Sequence, residues 1–244
     1  MQVETASAAV WERVHAAMRE PLRDYVRLVR DVFGPEAPSL TLFGPVVTGG
    51  FDPATQTARS ALVMERVVLA TLRRLADHGA RLGKAGIAAP LVMTPKYIGA
   101  SLDSFPLELI EIQQQGAVLF GDNPFAGLTF EDAHVRLQCE RELKRALISL
   151  RQGLLATAGR ERHVAALERE AADQLLRTLR GLLWLKGRRE FVPTAGVVNE
   201  TEAITGRKLP GLWAALDSST GASWKQFDRL YADVEALMEF VDAW

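Results

Sequence analysis

The chain has 244 residues, of which 48% are hydrophobic and 24% charged, and its formal net charge is -1. That length can build one large core or two modest ones, and that composition belongs to a folded chain rather than a disordered one. A near-neutral total gives no electrostatic footprint of a nucleic-acid binder, and the single cysteine, Cys139, excludes an internal disulfide and a thiolate zinc site.

The N-terminal stretch carries Glu4, Glu12 and Glu20 among its apolar residues, which is not the pattern of a signal peptide. The richest apolar run, residues 175–187, is interrupted by Arg177, Arg180 and Lys186, so it falls short of the roughly 20 apolar residues that span a bilayer. These features predict a cytoplasmic protein with no membrane partner.

Trp11, Val14, Met18, Leu22, Val26, Val29 and Phe33 recur every three or four positions, which predicts a helix over 7–33, kinked or split at Pro21 and stopped by Gly34-Pro35. Residues 39–43, bounded by Pro38 and Gly44-Pro45, read as a buried strand. A loop with three glycines and two prolines then leads to a second strand at 58–65. A helix follows from about Val67, with Leu69, Leu72, Leu75 and Ala76 on its stripe and an end at His78-Gly79. Residues 79–85 read as an exposed connection carrying Arg81 and Lys84; they miss the phosphate-loop spacing by one residue and end in Ala85 instead of a hydroxyl.

Residues 90–94 are a third strand, and Thr94-Pro95 starts a short helix to about Asp103. Residues 105–112 and 117–121 read as two further strands in a hairpin. Beyond Asp122-Asn123-Pro124 only helical periodicity remains. Cys139, Leu143, Ala146, Leu147, Leu150 and Leu154 trace one long stripe, and Val164, Leu167, Ala171, Leu175, Leu179 and Leu182 trace another. Pro193-Thr194 opens a third helix that ends near Gly206, a short helix surrounds Leu212-Trp213, and Ser223 with Gln226 has capping-box spacing for a last one. The sequence thus predicts an α+β protein: an N-terminal helix and a mixed-sheet α/β domain over 1–128, then an all-helical bundle over 129–244.

The strand, glycine loop and strand of residues 40–64, followed by the segments 105–112 and 118–125, resemble in their order the nucleotidyltransferase superfamily, the fold of DNA polymerase beta and the minimal nucleotidyltransferases. The resemblance covers roughly residues 40–125, and the helical tail from Leu137 is similar in general character to the helical domains attached to that unit. It implies a Gly-Ser turn that approaches a triphosphate, and an Asp-X-Asp strand whose carboxylates, with a third acid, hold two divalent ions. Here Gly44-Pro45 stands at the Gly-Ser place, and Ala58 and Ser60 stand at the two aspartate places. The third acid falls at Glu108, or at Glu111, on the 105–112 strand, where three-residue spacing turns the two to opposite faces.

Neither Ala58 nor Ser60 replaces a carboxylate, so the leading expectation is a non-catalytic relative that acts as a nucleotide-binding or protein-interaction module and has no cofactor. Gly44, Thr48, Gly49 and Gly50 are the candidate nucleotide-binding residues, set against a purely conformational role for the glycines. One alternative is a metal-dependent nucleotidyltransferase with a rearranged acid set, Asp52, Glu65 and Glu108, which would require Mg2+. Another makes the helical domain the active part, pairing with itself or with a partner in a toxin–antitoxin-like couple, and predicts an exposed apolar strip on that domain.

Other motifs carry less. The helical ribonucleases found beside nucleotidyltransferases have an arginine four to six residues before a histidine; His134 and His163 lack one, while Arg73 and His78 have it on an ordinary amphipathic helix. His15, His78, His134 and His163 show no metal-ligand spacing. Cys139 lies on an apolar stripe and reads as a small buried hydrophobe, and Trp184, Trp213, Trp224 and Trp244 read as bundle packing.

Overall fold

The structure is a computed structural model that describes residues 6–37, 39–217, 221 and 223–243; Pro38 and Trp244 lie outside the described residues. Contacts divide the chain into two compact units. One comprises residues 1–102 and 109–129, the other residues 103–108 and 130–244.

In the first unit, helix α1 (Ala8–Arg13) and a 3-10 turn precede α2 (Arg19–Phe33). The predicted N-terminal helix is therefore split, but at Val14 and His15 rather than at Pro21. Pro21 sits in the first turn of α2, where its missing N–H has no carbonyl to lose. Leu22, Tyr25, Val26, Val29 and Phe33 of α2 are buried, as their spacing requires.

Strand β1 (Ser39–Phe43) is followed by a one-turn helix, α3 (Pro45–Thr48), and by β2 (Arg59–Val63). Next come α4 (Leu69–Ala76), α5 (Gly79–Lys84), β3 (Leu91–Met93) and α6 (Pro95–Ala100). The hydroxyl of Thr94 accepts the N–H of Tyr97 at 3.1 Å and so caps α6. Residues 79–84, read from sequence as a connection, form a helical turn that keeps Arg81 and Lys84 exposed.

The largest departure is α7 (Pro106–Gln115), a helix where the sequence suggests a strand and half a hairpin. Pro106 begins it, as proline at a first helical position does. Leu107, Leu109, Ile110 and Ile112 are all buried, and so are Glu111 and Gln115, so burial is not confined to one apolar stripe and the Leu-Glu-Leu-Ile-Glu-Ile order imitates the two-residue period of a strand. Strand β4 (Ala117–Phe120) follows. The sheet order is β3-β2-β1-β4, with β1 antiparallel to both β2 and β4 and β2 parallel to β3. The arrangement is the expected α+β one with a mixed sheet.

The second unit is all helical: α8 (Asp132–Ala156), α9 (Val164–Leu185), α10 (Thr194–Thr205), α11 (Pro210–Leu216) and α12 (Trp224–Asp242). Its core is built from Cys139, Leu143 and Leu150 of α8, Leu175, Leu179 and Leu182 of α9, and Phe227, Leu230, Val234 and Val241 of α12. Gly206 closes α10 in the left-handed conformation with φ of 67°, and the Ser223 hydroxyl accepts the Gln226 N–H at 3.2 Å to open α12. Among the described residues no helix is long and apolar enough to cross a membrane.

Candidate functional site

The turn after β1 is made by Gly44, whose φ of +81° no side chain adopts without strain. Contrary to the sequence reading, a helix begins directly after it, but that helix is only four residues long. The amides of Val47 and Thr48 donate to the Gly44 carbonyl, the Gly49 amide donates to the Pro45 carbonyl, and the Thr48 hydroxyl donates to the Gly44 carbonyl at 3.1 Å. Gly49 and Gly50 also have positive φ, 93° and 76°. The four candidate nucleotide-binding residues thus form one turn whose donors are largely spent within it. Pro45 offers a phosphate neither an N–H nor a hydroxyl.

Downstream, Asp52 heads a tight turn, its carboxylate accepting the Ala54 N–H at 2.9 Å and the Thr55 hydroxyl at 2.8 Å. These bonds hold its pKa below the ordinary value. Its role is that of a turn-former on the surface.

The register of β2 decides what each face of the sheet presents. Ser60 and Leu62 lie opposite Leu42 and Leu40, and with Ala58 they belong to the face packed into the core beneath α2. Ala58 is fully buried, and the Ser60 hydroxyl meets the Tyr25 hydroxyl at 3.3 Å. Burial pushes the Tyr25 phenol up to about 12. Acids at positions 58 and 60 would therefore project into an apolar core. Arg59 and Ala61 lie opposite Phe43 and Thr41 on the other face.

On that face the Arg59 guanidinium pairs with Glu111 at 3.3 and 3.4 Å and lies 4.4 Å over the ring of Phe43. It also stands 3.9 Å from where a Cβ on Gly44 would be. Glu111, on α7, is buried. Arg59 is the residue that sequence reasoning missed. Two-residue alternation marks it as opposite in face to Ala58 and Ser60, but which face is core is not written in the strand.

The remaining acids are dispersed. Glu65 follows β2 with its side chain exposed, and its amide donates to the Glu36 carbonyl at 3.3 Å. Because 106–115 is helical, Glu108 and Glu111 do not alternate as on a strand, and the division of the chain places Glu108 in the helical unit. There it lies 3.5 Å from Arg177 and accepts from Gln138 Nε2 at 2.8 Å. The acid set Asp52, Glu65 and Glu108 is thus divided between the two units. None of the four strands carries an aspartate or glutamate, and among the described residues no three His, Cys, Asp or Glu side chains form a group that could hold a metal. The residues present do not fit the pair of divalent ions that the fold implies. Cys139 is fully buried in α8, and burial drives its thiol pKa far up, so it is no nucleophile.

No protein-family model matches the chain, and no curated protein matches it. Among solved structures, it is similar to the crystal structure of spectinomycin adenyltransferase AAD(9) from Enterococcus faecialis with ATP and spectinomycin, with a TM-score of 0.58 and 10% sequence identity. The match covers 91% of this chain and 98% of that one. At that identity the likeness is one of fold, and the fold is the nucleotidyltransferase fold of the DNA polymerase beta type.

Proposed function

We propose that this protein, built on the nucleotidyltransferase fold, transfers no nucleotidyl group and serves as a cytoplasmic binding module. The observation that carries this reading is the pair of residues Arg59 and Ala61 on the sheet face opposite α2. If the Asp-X-Asp motif falls at 58 and 60 the acids are replaced by Ala58 and Ser60; if it falls at 59 and 61 they are replaced by Arg59 and Ala61. In the second register a fixed guanidinium takes the place of a metal ligand and repels the cation that the chemistry needs. Activation of an attacking hydroxyl and neutralisation of a leaving pyrophosphate both require that cation.

The AAD(9) structure contains ATP, which makes a nucleotide the first ligand to test. The experiment is calorimetric titration with ATP, CTP and GTP, with and without Mg2+ or Mn2+, beside a radiolabelled transfer assay. The expected result is no transfer and no metal-dependent binding. Metal-dependent micromolar affinity, with transfer abolished by Glu108→Ala or Glu111→Ala, would replace this reading with the enzymatic one.

A further inference from the structure

The inner face of α8 is committed to the core of its unit, with Val135, Cys139, Leu143, Ala146 and Leu150 buried. Its outer face carries a second pattern. Leu137, Arg141, Lys144, Ile148, Arg151 and Leu155 are spaced four, three, four, three and four residues apart, the alternation of a heptad seam. Leu137, Ile148 and Leu155 return to within about 20° of one direction and extend along about 27 Å of helix. They are 41%, 52% and 81% exposed, so the described residues leave all three open to solvent, Leu155 most of all.

The charged seam positions are all basic. Lys144 pairs with Glu140 and lies 3.9 Å from Asp242, and Arg151 bonds the Tyr231 hydroxyl at 2.8 Å and lies 3.9 Å from Glu235. The side chains of Lys144 and Arg151 are 53% and 57% exposed, and solvent-exposed pairs of this kind are exchanged at little cost.

We propose, resting on the reading of the protein as an interaction module, that this seam docks an acidic amphipathic helix of a partner protein. The charges select against a second copy of the chain. Parallel self-pairing stacks Arg141, Lys144 and Arg151 each on its own counterpart, and antiparallel self-pairing centred on the seam sets Arg141 against Arg151. A partner helix with apolar residues facing Leu137, Ile148 and Leu155, and glutamates facing the three basic residues, buries the first set and pairs the second.

The probe is a synthetic amphipathic peptide of about three heptads, with leucine and glutamate at those positions, and a control in which lysine replaces each glutamate. Binding to the full chain is followed by fluorescence anisotropy at low and high salt, beside sedimentation of the chain alone. The seam predicts a monomer that binds the glutamate peptide at least about tenfold more tightly than the lysine peptide. Salt and Ile148→Asp/Leu155→Asp should each weaken that binding, and the variant should keep its wild-type circular dichroism because both side chains are exposed. Equal affinity for the two peptides, binding untouched by the variant, or a dimer dissolved by it would overturn the proposal. Nucleotidyl transfer by the wild type would overturn the non-catalytic reading and leave these peptide results standing.

Discussion

The guanidinium of Arg59 and the carboxylate of Glu111 join β2 to α7 by a two-point ion pair, 3.3 and 3.4 Å long, whose carboxylate end is buried and whose guanidinium end is about one-third exposed. The pair occupies the sheet face opposite the one packed beneath α2. A protein-borne positive charge stands on that face, tied to a protein-borne acid.

Arg59→Ala removes the counter-charge from a buried carboxylate, and the expected loss is about 2 kcal/mol of unfolding free energy. That is less than for a fully buried pair, because Arg59 reaches water. Glu111→Ala costs less, since the guanidinium it leaves behind can hydrate. In a urea-unfolding cycle the double variant should fall short of the sum of the singles by about 1 kcal/mol. Strict additivity would show that the pair contributes no coupling.

A second prediction concerns Glu168 on α9, which is 2% exposed and whose Oε2 accepts from Gln226 Nε2 at 3.2 Å. Burial pushes its carboxyl up from 4.5 to about 7. Between those values the folded state binds more protons than the unfolded state, so stability falls as pH rises from about 4.5 to about 7 and the loss is complete above that. Asp233, raised by burial from 3.8 to about 6, acts in the same direction over its own window. Glu168→Gln removes the group that must ionise and should be more stable than wild type at pH 8 by about 1–2 kcal/mol, with little difference at pH 5. Unfolding curves at the two pH values test this, and an equal shift at both would contradict it.

At Gly211 the backbone of α11 comes close to that of α12. A Cβ there would stand 2.1 Å from the Leu230 amide nitrogen of α12 and 2.4 Å from the Arg229 carbonyl carbon. These are backbone atoms and cannot swing aside. Gly211→Ala should therefore cost about 2–3 kcal/mol and part α11 from α12. It would also disturb the bond from the Leu212 N–H to Asp233 Oδ2, now 2.8 Å. A melting temperature equal to wild type would show that the crossing yields more easily than the geometry implies.

Much of this architecture was legible in the sequence because its elements follow simple periods. The 3.6-residue stripes of α2, α8, α9 and α12 and the short β-prone runs of β1 to β4 stand out between glycines and prolines. Other features were not legible. The segment 105–112 hides its helical period because α7 buries polar as well as apolar positions, and apolar residues interrupted by glutamates at 108 and 111 read like a strand. The faces of β2 were hidden for a different reason. Alternation separates Ala58 and Ser60 from Arg59 and Ala61, but only Tyr25 and the packing of α2 reveal which set is interior. The ion pair of Arg59 with Glu111, 52 positions apart in sequence, was beyond any local signal.

The sheet order has a consequence for how the chain acquires its shape. β1 pairs on one side with β2, reached after 15 intervening residues, and on the other with β4, which is not synthesised until residues 117–120. During that interval β1 presents an open edge of backbone donors and acceptors, flanked by the apolar side chains of Leu40 and Leu42. Closing the sheet over so long a separation is slow compared with pairing α8 with α9 or α11 with α12, which are neighbours in the chain. Synthesis thus exposes the first-made unit longest, and residues 109–120 are the segment whose arrival ends that exposure.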